Sequence, residues 1–298
     1  MADAAMAEIL PARAALPRAA MRACLSEPSV VIGGAFVLLL VVLALGAPWL
    51  APRDPLEQDV ILGATPPFWL PGAEPGHWLG TDDLGRDALS RVIYGARVAL
   101  TVAFVAAFLA AVVGSILGLL AGWRRGWVDV AVSRAVEIWM AFPPVLLSIL
   151  LVAVAGAGVG SVIIAIAIID WTRFCRVVRA ETIQQARSDY VTAARAVGFS
   201  RARILVREIF PNVAPVLIAL VSLEMGIAVT VEAILSFVGL SVSSDTPTWG
   251  GMIAQGRQLM HEGWWILAFP LVMLFLTVVA FNLLGGGLRR ALDPVLRR

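Results

Sequence analysis

Four carboxylates, Glu137, Asp170, Glu224 and Glu232, stand within otherwise apolar runs of this 298-residue chain. An ionised group in hydrocarbon costs about 3 kcal/mol even by insertion scales, so each is a candidate functional group. Glu137 and Asp170 lie toward the ends of their runs, where an interface can solvate them. Glu224 and Glu232 are eight residues apart, roughly 80° around a helix at about 100° per residue, so both can face a bundle interior. Two readings stay open for them. They line a path and meet a cationic group, or they hydrogen-bond between helices, to a partner subunit or to Ser222 and Thr230.

A second concentration of charge, Asp82, Asp83, Arg86 and Asp87, is flanked by Gly80 and Gly85. It reads as a turn satisfied by its own Asp–Arg pairs, or as a contact for a delivering protein or a plug. Its acidic spacing fits no calcium loop. His77 and His261 are isolated from one another and read as interfacial residues, not as metal ligands. Cys24 and Cys175 give neither a disulfide framework nor metal spacing. All 23 basic residues are Arg. Without lysine no Gly-rich Lys-Ser/Thr phosphate loop can form, so the chain is not expected to bind or hydrolyse ATP. No Gly-x-Ser-x-Gly or His-Glu-x-x-His motif points to a hydrolase. No enzymatic activity, metal, cofactor or nucleic-acid partner is expected.

The elements that carry these groups are membrane helices. Hydrophobic residues make up 60% of the chain and the mean hydropathy is +0.87, beyond the range of an ordinary soluble domain. Apolar runs near the length needed to cross a bilayer fall at 29–50, 98–122, 131–155, 161–176, 213–238 and 264–285. The first is too long for a signal-peptide core, although Ala44-Leu45-Gly46 offers cleavage spacing. Pro143-Pro144 should kink or break the third. Arg173, Arg176 and Arg179 at the end of the short fourth run are expected to snorkel to the interface.

Six spans put both termini on one side. Of the 23 arginines, 18 fall on that side and five on the other, so both termini are expected in the cytoplasm. The expected organisation is a cytoplasmic tail (1–28), a first span (29–50), an external loop (51–96), a core of five spans (97–288) with a cytoplasmic loop at 177–211, and a cytoplasmic tail (289–298). A second external loop covers 239–262. Trp69, Trp78, Trp249, Trp264 and Trp265 read as an external aromatic belt.

Within the cytoplasmic loop, Asp189 to Pro211 reads as a short helix with a sharp stop. Asp189 can cap it, Tyr190 to Val197 favours helix, and Gly198 suits a left-handed terminus. Ala193, Ala194 and Ala196 let another surface approach the backbone. Arg201, Arg203 and Arg207 mark the cytoplasmic side. Pro211 and Pro215 are expected to open the next span.

Thr192-Ala193-Ala194, Gly198 and Phe210-Pro211 resemble the Glu-Ala-Ala…Gly…Leu-Pro coupling motif of ABC-transporter permeases, with Thr192 and Phe210 as departures. The external-loop run Leu79-Gly80-Thr81-Asp82, with Gly85-Arg86-Asp87, Ser90-Arg91, Gly95 and Arg97, is similar to the signature of the dipeptide/oligopeptide/nickel permease subfamily. Ala141-Phe142-Pro143, Leu235 to Leu240, Pro247 to Gly250, Phe281 to Gly285 and Leu292-Asp293-Pro294 extend the agreement over about residues 29–296. Gly286 and Arg290 depart from acidic positions common there.

The resemblance is to the second permease of the pair, the DppC/OppC-like subunit. It implies an all-α integral membrane protein of six transmembrane helices with the MetI-like fold, set N-in/C-in in the bacterial inner membrane. It also implies a homologous permease partner, two ABC ATPase subunits that bind ATP and Mg, an external solute-binding protein, and surrounding lipid. Asp189, Tyr190, Thr192, Ala193, Ala194, Gly198 and Pro211 would then form the ATPase-coupling helix, and Glu224 and Glu232 could meet a peptide amine. Peptide is the expected cargo, with nickel or another small solute as the alternative. A proton-coupled secondary transporter is less favoured, because neither internal repeats nor a relay of ionisable groups is evident.

Overall fold

The computed structural model describes residues 16–241 and 245–292, with side chains from residue 21 onward. The parts of the two expected tails at 1–15 and 293–298, with Asp293 and Pro294, lie outside the described residues. The described chain is helical: α1 (Leu16–Ser26), α2 (Pro28–Leu50), α3 (Ala88–Arg124), α4 (Gly126–Met140), α5 (Pro144–Ala155), α6 (Val159–Gln185), α7 (Asp189–Ala196), α8 (Arg201–Phe237), α9 (Trp249–Gln258) and α10 (Trp264–Leu292). An isolated bridge between Thr81 and Asp87 is the one β feature among the described residues.

Helices α2, α3, α8 and α10 are long and apolar enough to cross a membrane, and α4 with α5 forms a pair bent by 86°. The bend falls at Pro143-Pro144, with Pro144 in the first turn of α5. The fourth sequence-predicted span corresponds to α6. There Asp170, Arg173 and Arg176 put three charges into residues 159–176, and α6 does not qualify by length and composition alone.

Helix α3 starts at Ala88, ten residues before the predicted span, because Asp87 caps it. It spans about 55 Å at 1.5 Å per residue, and joins the 51–87 segment at one end of the molecule to α7 at the other. Its most extensive packing is against α6. There a Cβ on Gly118 would come within 2.7 Å of the Cys175 carbonyl oxygen, so only glycine admits this approach. Helix α2 crosses α3 where Pro48 has no N–H to give Ala44. The Arg97 Nε donates to that Ala44 carbonyl instead, at 2.6 Å. Asp129 of α4 and Arg179 of α6 form a two-pronged ion pair, so Arg179 is tied into the bundle and does not snorkel.

Three further expectations change. Residues 239–262 are not simply a loop, since they fold into α9, capped by the Thr248 hydroxyl at the Gly251 N–H. Trp249 and Trp265 are buried and leave the predicted belt. Their indole N–H groups donate to the carbonyls of Val92 (2.9 Å) and Thr81 (3.1 Å), so each fastens a helix. Pro211 stands in the first turn of Phe210–Phe237, the apolar part of α8, whereas Pro215 lies inside that segment and does not open it. The missing Pro211 N–H is accommodated by a wide turn over Leu205–Ile209, where the Phe210 N–H reaches back to the Leu205 carbonyl.

Candidate functional site

Within the Asp189–Pro211 stretch, Asp189–Ala196 forms a two-faced helix with a fixed stop, and Arg201 to Pro211 belong to α8. The helix begins after Ser188, in the N-cap position without a side-chain cap bond. Asp189 is therefore not the cap; it lies in the first turn, where its charge favours the helix dipole. Gly198 has φ +86°. The Phe199 N–H donates to Ala194 O (3.1 Å) and the Gly198 N–H to Arg195 O (3.0 Å). This pattern satisfies the last carbonyls only if the glycine position is left-handed.

Val191 and Ala194 point inward to Val178 of α6 and to Ile204, Ile209 and Val213 of α8, with Leu119 and Trp123 of α3 beside them. Ala194 is thus packed against its own chain, contrary to the expectation that it faces an approaching surface, whereas Thr192, Ala193, Ala196 and Val197 are exposed. The Tyr190 hydroxyl donates to Gln185 Oε1 at 2.8 Å, and burial raises its phenol above the ordinary range.

At the other end of α3 the charged turn closes on itself. Asp82 Oδ1 accepts the N–H groups of Leu84 and Arg86, both at 2.9 Å. Its Oδ2 accepts Arg86 Nε at 2.7 Å and Arg91 Nη1 at 2.8 Å. Asp87 Oδ2 caps α3 by accepting the Ser90 N–H (2.8 Å) and hydroxyl (2.7 Å), while its Oδ1 meets His77 Nδ1 at 3.0 Å. Asp83 reaches the Gln255 amide of α9. His77 is buried, not interfacial. No group of three or more His, Cys, Asp or Glu able to hold a metal occurs among the described residues.

The intramembrane carboxylates separate into different environments. Glu137 is exposed and pairs with Arg134 at 2.7 Å. Glu232 is buried, and its Oε1 accepts the hydroxyls of Ser236 (2.6 Å) and Ser241 (3.2 Å). The Ser241 carbonyl in turn accepts the Gly158 N–H at 2.6 Å, tying the end of α8 to the start of α6. The expected partners Ser222 and Thr230 bond elsewhere, to the carbonyls of Phe281 and Gly226.

Glu224 is 1% exposed, and neither carboxylate oxygen accepts a hydrogen bond among the described residues. Arg173 Nη1 stands 3.6 Å from Glu224 Oε2, and Arg173 Nε stands 3.8 Å from Asp170 Oδ1. Asp170 is buried, not interfacial as its place in the sequence suggests. Asp170 and Arg173 line a cavity of about 310 Å³ among α5, α6, α8 and α10, walled mostly by Val and Ile with Ser148, Thr230 and Asn282. Arg173 is the group that sequence reasoning passed over as a snorkelling residue. Its spacing of three from Asp170, on one helix face, was the available signal.

The described chain thus joins a cavity to a rigidly stopped helix packed under the helices that line it. The chain belongs to the family described as "Binding-protein-dependent transport system inner membrane component", which matches residues 114–298, and residues 18–67 match the "N-terminal TM domain of oligopeptide transport permease C".

It is similar to the dipeptide transport system permease protein DppC of Escherichia coli K12, 43% identical over 270 residues, covering 90% of this chain and 89% of that protein. It is 40% identical over 262 residues to the di/tripeptide permease DppC of Pseudomonas aeruginosa UCBPP-PA14, covering 88% of this chain and 86% of that one. The glutathione permease GsiD of Shigella dysenteriae (strain Sd197) is 39% identical over 265 residues, covering 88% and 85% of the two chains. In fold it is similar to a chain of the MetNI methionine ABC transporter in an inward-facing state, at TM-score 0.58 and 19% identity over 68% of this chain and 96% of that one. The protein is a multi-pass component of the bacterial inner membrane.

Proposed function

We propose that this chain supplies half of a path for short peptides, that a homologous permease supplies the other half, and that α7 couples the path to two cytoplasmic ATPase subunits. ATP and Mg bind to those partners, and an external solute-binding protein delivers the cargo. The observation that carries the reading is the two-faced α7. Its outer face (Thr192, Ala193, Ala196, Val197) is exposed, while its inner face (Val191, Ala194) packs on α6 and α8. A push on the outer face therefore moves the helices that line the 310 Å³ cavity.

In this reading the six spans run N-in/C-in, the 177–211 region is cytoplasmic, the 51–96 segment is external, and residues 97–288 form the permease core. Arg187, Arg195, Arg201, Arg203 and Arg207 around α7 favour that orientation. Peptide is the cargo class because the dipeptide and di/tripeptide permeases are similar over nearly the whole chain.

The test is reconstitution with the partner permease, the ATPases and the binding protein in proteoliposomes, following uptake of labelled Ala-Ala. Uptake should require ATP, and Ala193→Trp should abolish it together with ATPase co-purification, because a bulky group on the outer face blocks docking. Uptake that persists without ATP and follows a pH gradient would overturn the reading.

A further inference from the structure

We infer that Asp170, Arg173 and Glu224 form a receiving site for the protonated amino terminus of a peptide cargo. The inference rests on the peptide-path reading and names the group recognised within it.

Two carboxylates face one guanidinium here. Both Arg173 contacts, 3.6 Å to Glu224 and 3.8 Å to Asp170, are ion-pair distances too long for hydrogen bonds. The acids are fixed and buried, at 1% and 6% side-chain exposure, whereas the Arg173 side chain is 39% exposed. Glu224 has two buried oxygens that accept nothing among the described residues. A buried polar group without a partner calls for an explanation, and a ligand that completes it is one. The site therefore sets two buried acids against one half-exposed cation, and both Glu224 oxygens lack a donor among the described residues.

A primary ammonium fits these demands. It carries one positive charge and three N–H donors on a small head, enough to bond both acids at once. The cavity beside it supplies Val and Ile walls for small side chains, with Ser148, Thr230 and Asn282 as polar points. Glu232, by contrast, is already satisfied by Ser236 and Ser241 and takes no part.

The test uses the assembled complex with Cys24→Ala and Cys175→Ala, and Thr230→Cys as a reporter in the cavity. The rate of reaction with a cationic methanethiosulfonate is measured alone, with millimolar Ala-Ala, and with N-acetyl-Ala-Ala. Ala-Ala should slow the reaction at least threefold and the acetylated peptide should not. The cationic reagent should also react several-fold faster than an anionic one after correction for intrinsic reactivity.

Glu224→Gln should remove both effects, and Asp170→Asn, the second variant, should weaken them, in complexes that purify intact. Equal protection by the two peptides, no protection by either, or protection unchanged in both variants would overturn the site. ATP-driven uptake of labelled Ala-Ala by the wild-type complex is measured in parallel. Uptake without protection removes only this inference, whereas absence of uptake removes the peptide reading itself.

Discussion

Two buried clusters in this protein have similar chemistry and opposite states of satisfaction. At the start of α3, Asp82 holds Arg86 and Arg91 with bonds of 2.7–2.9 Å, and two backbone N–H groups fill its remaining acceptor sites. Between α6 and α8, Arg173 stands 3.6–3.8 Å from Glu224 and Asp170, and Glu224 accepts no hydrogen bond among the described residues. The first arrangement repays the desolvation of its charges with local geometry, because Asp82 lies within a tight turn four residues before Arg86. The second cannot do so, because its members come from two helices whose spacing is set by packing elsewhere. The difference teaches that burial alone does not tell the two clusters apart, and that the groups completing each of them do.

The largest effect should come from breaking the satisfied cluster. Asp82→Ala leaves two buried guanidinium groups uncompensated and should cost about 3–5 kcal/mol. The assembled complex should then fail to accumulate in membranes, and wild-type levels would contradict the structural role of the turn. Next, Ala194→Trp should overpack the α7 inner face by about 1–3 kcal/mol and lower the thermal midpoint of the complex. Ala193→Trp on the outer face should leave the midpoint in place while releasing the ATPases. Equal effects at the two positions would remove the distinction between faces.

Glu232→Gln weakens the bonds that tie the end of α8 to the Gly158 turn, at a cost of about 1 kcal/mol. It should reduce complex stability with every cargo alike, and a changed cargo preference at unchanged stability would assign Glu232 to the path instead. Gly198→Val puts a β-branched residue at φ +86°, a strain of about 1–2 kcal/mol. Insertion and subunit levels should be normal and uptake reduced, and wild-type uptake would argue against a rigid coupling helix. The smallest stability effect belongs to the incomplete cluster. Glu224→Gln removes one of two acids around a half-exposed Arg173 and should change the thermal midpoint by no more than a surface substitution, about 0.5 kcal/mol. A loss like that of Asp82→Ala would show that the two clusters do the same work.

The sequence by itself determined the membrane class, most of the spans, the break at Pro143-Pro144, and the stop at Gly198. All of these are local: hydropathy over a run, a missing N–H, a backbone without Cβ. It also made Asp82, Arg86 and Asp87 legible as a group, because their bonds close within ten residues. Only the tertiary structure decided which face of α7 is open, since Ala193 and Ala194 are identical until α6 and α8 pack against one of them. It alone separated Glu232 from Glu224, eight residues away on the same helix. Glu232 meets hydroxyls from the following turn, whereas Glu224 meets an arginine from α6 some fifty residues earlier. Such a meeting depends on how α6 and α8 pack together, and no pattern within a single apolar run encodes it.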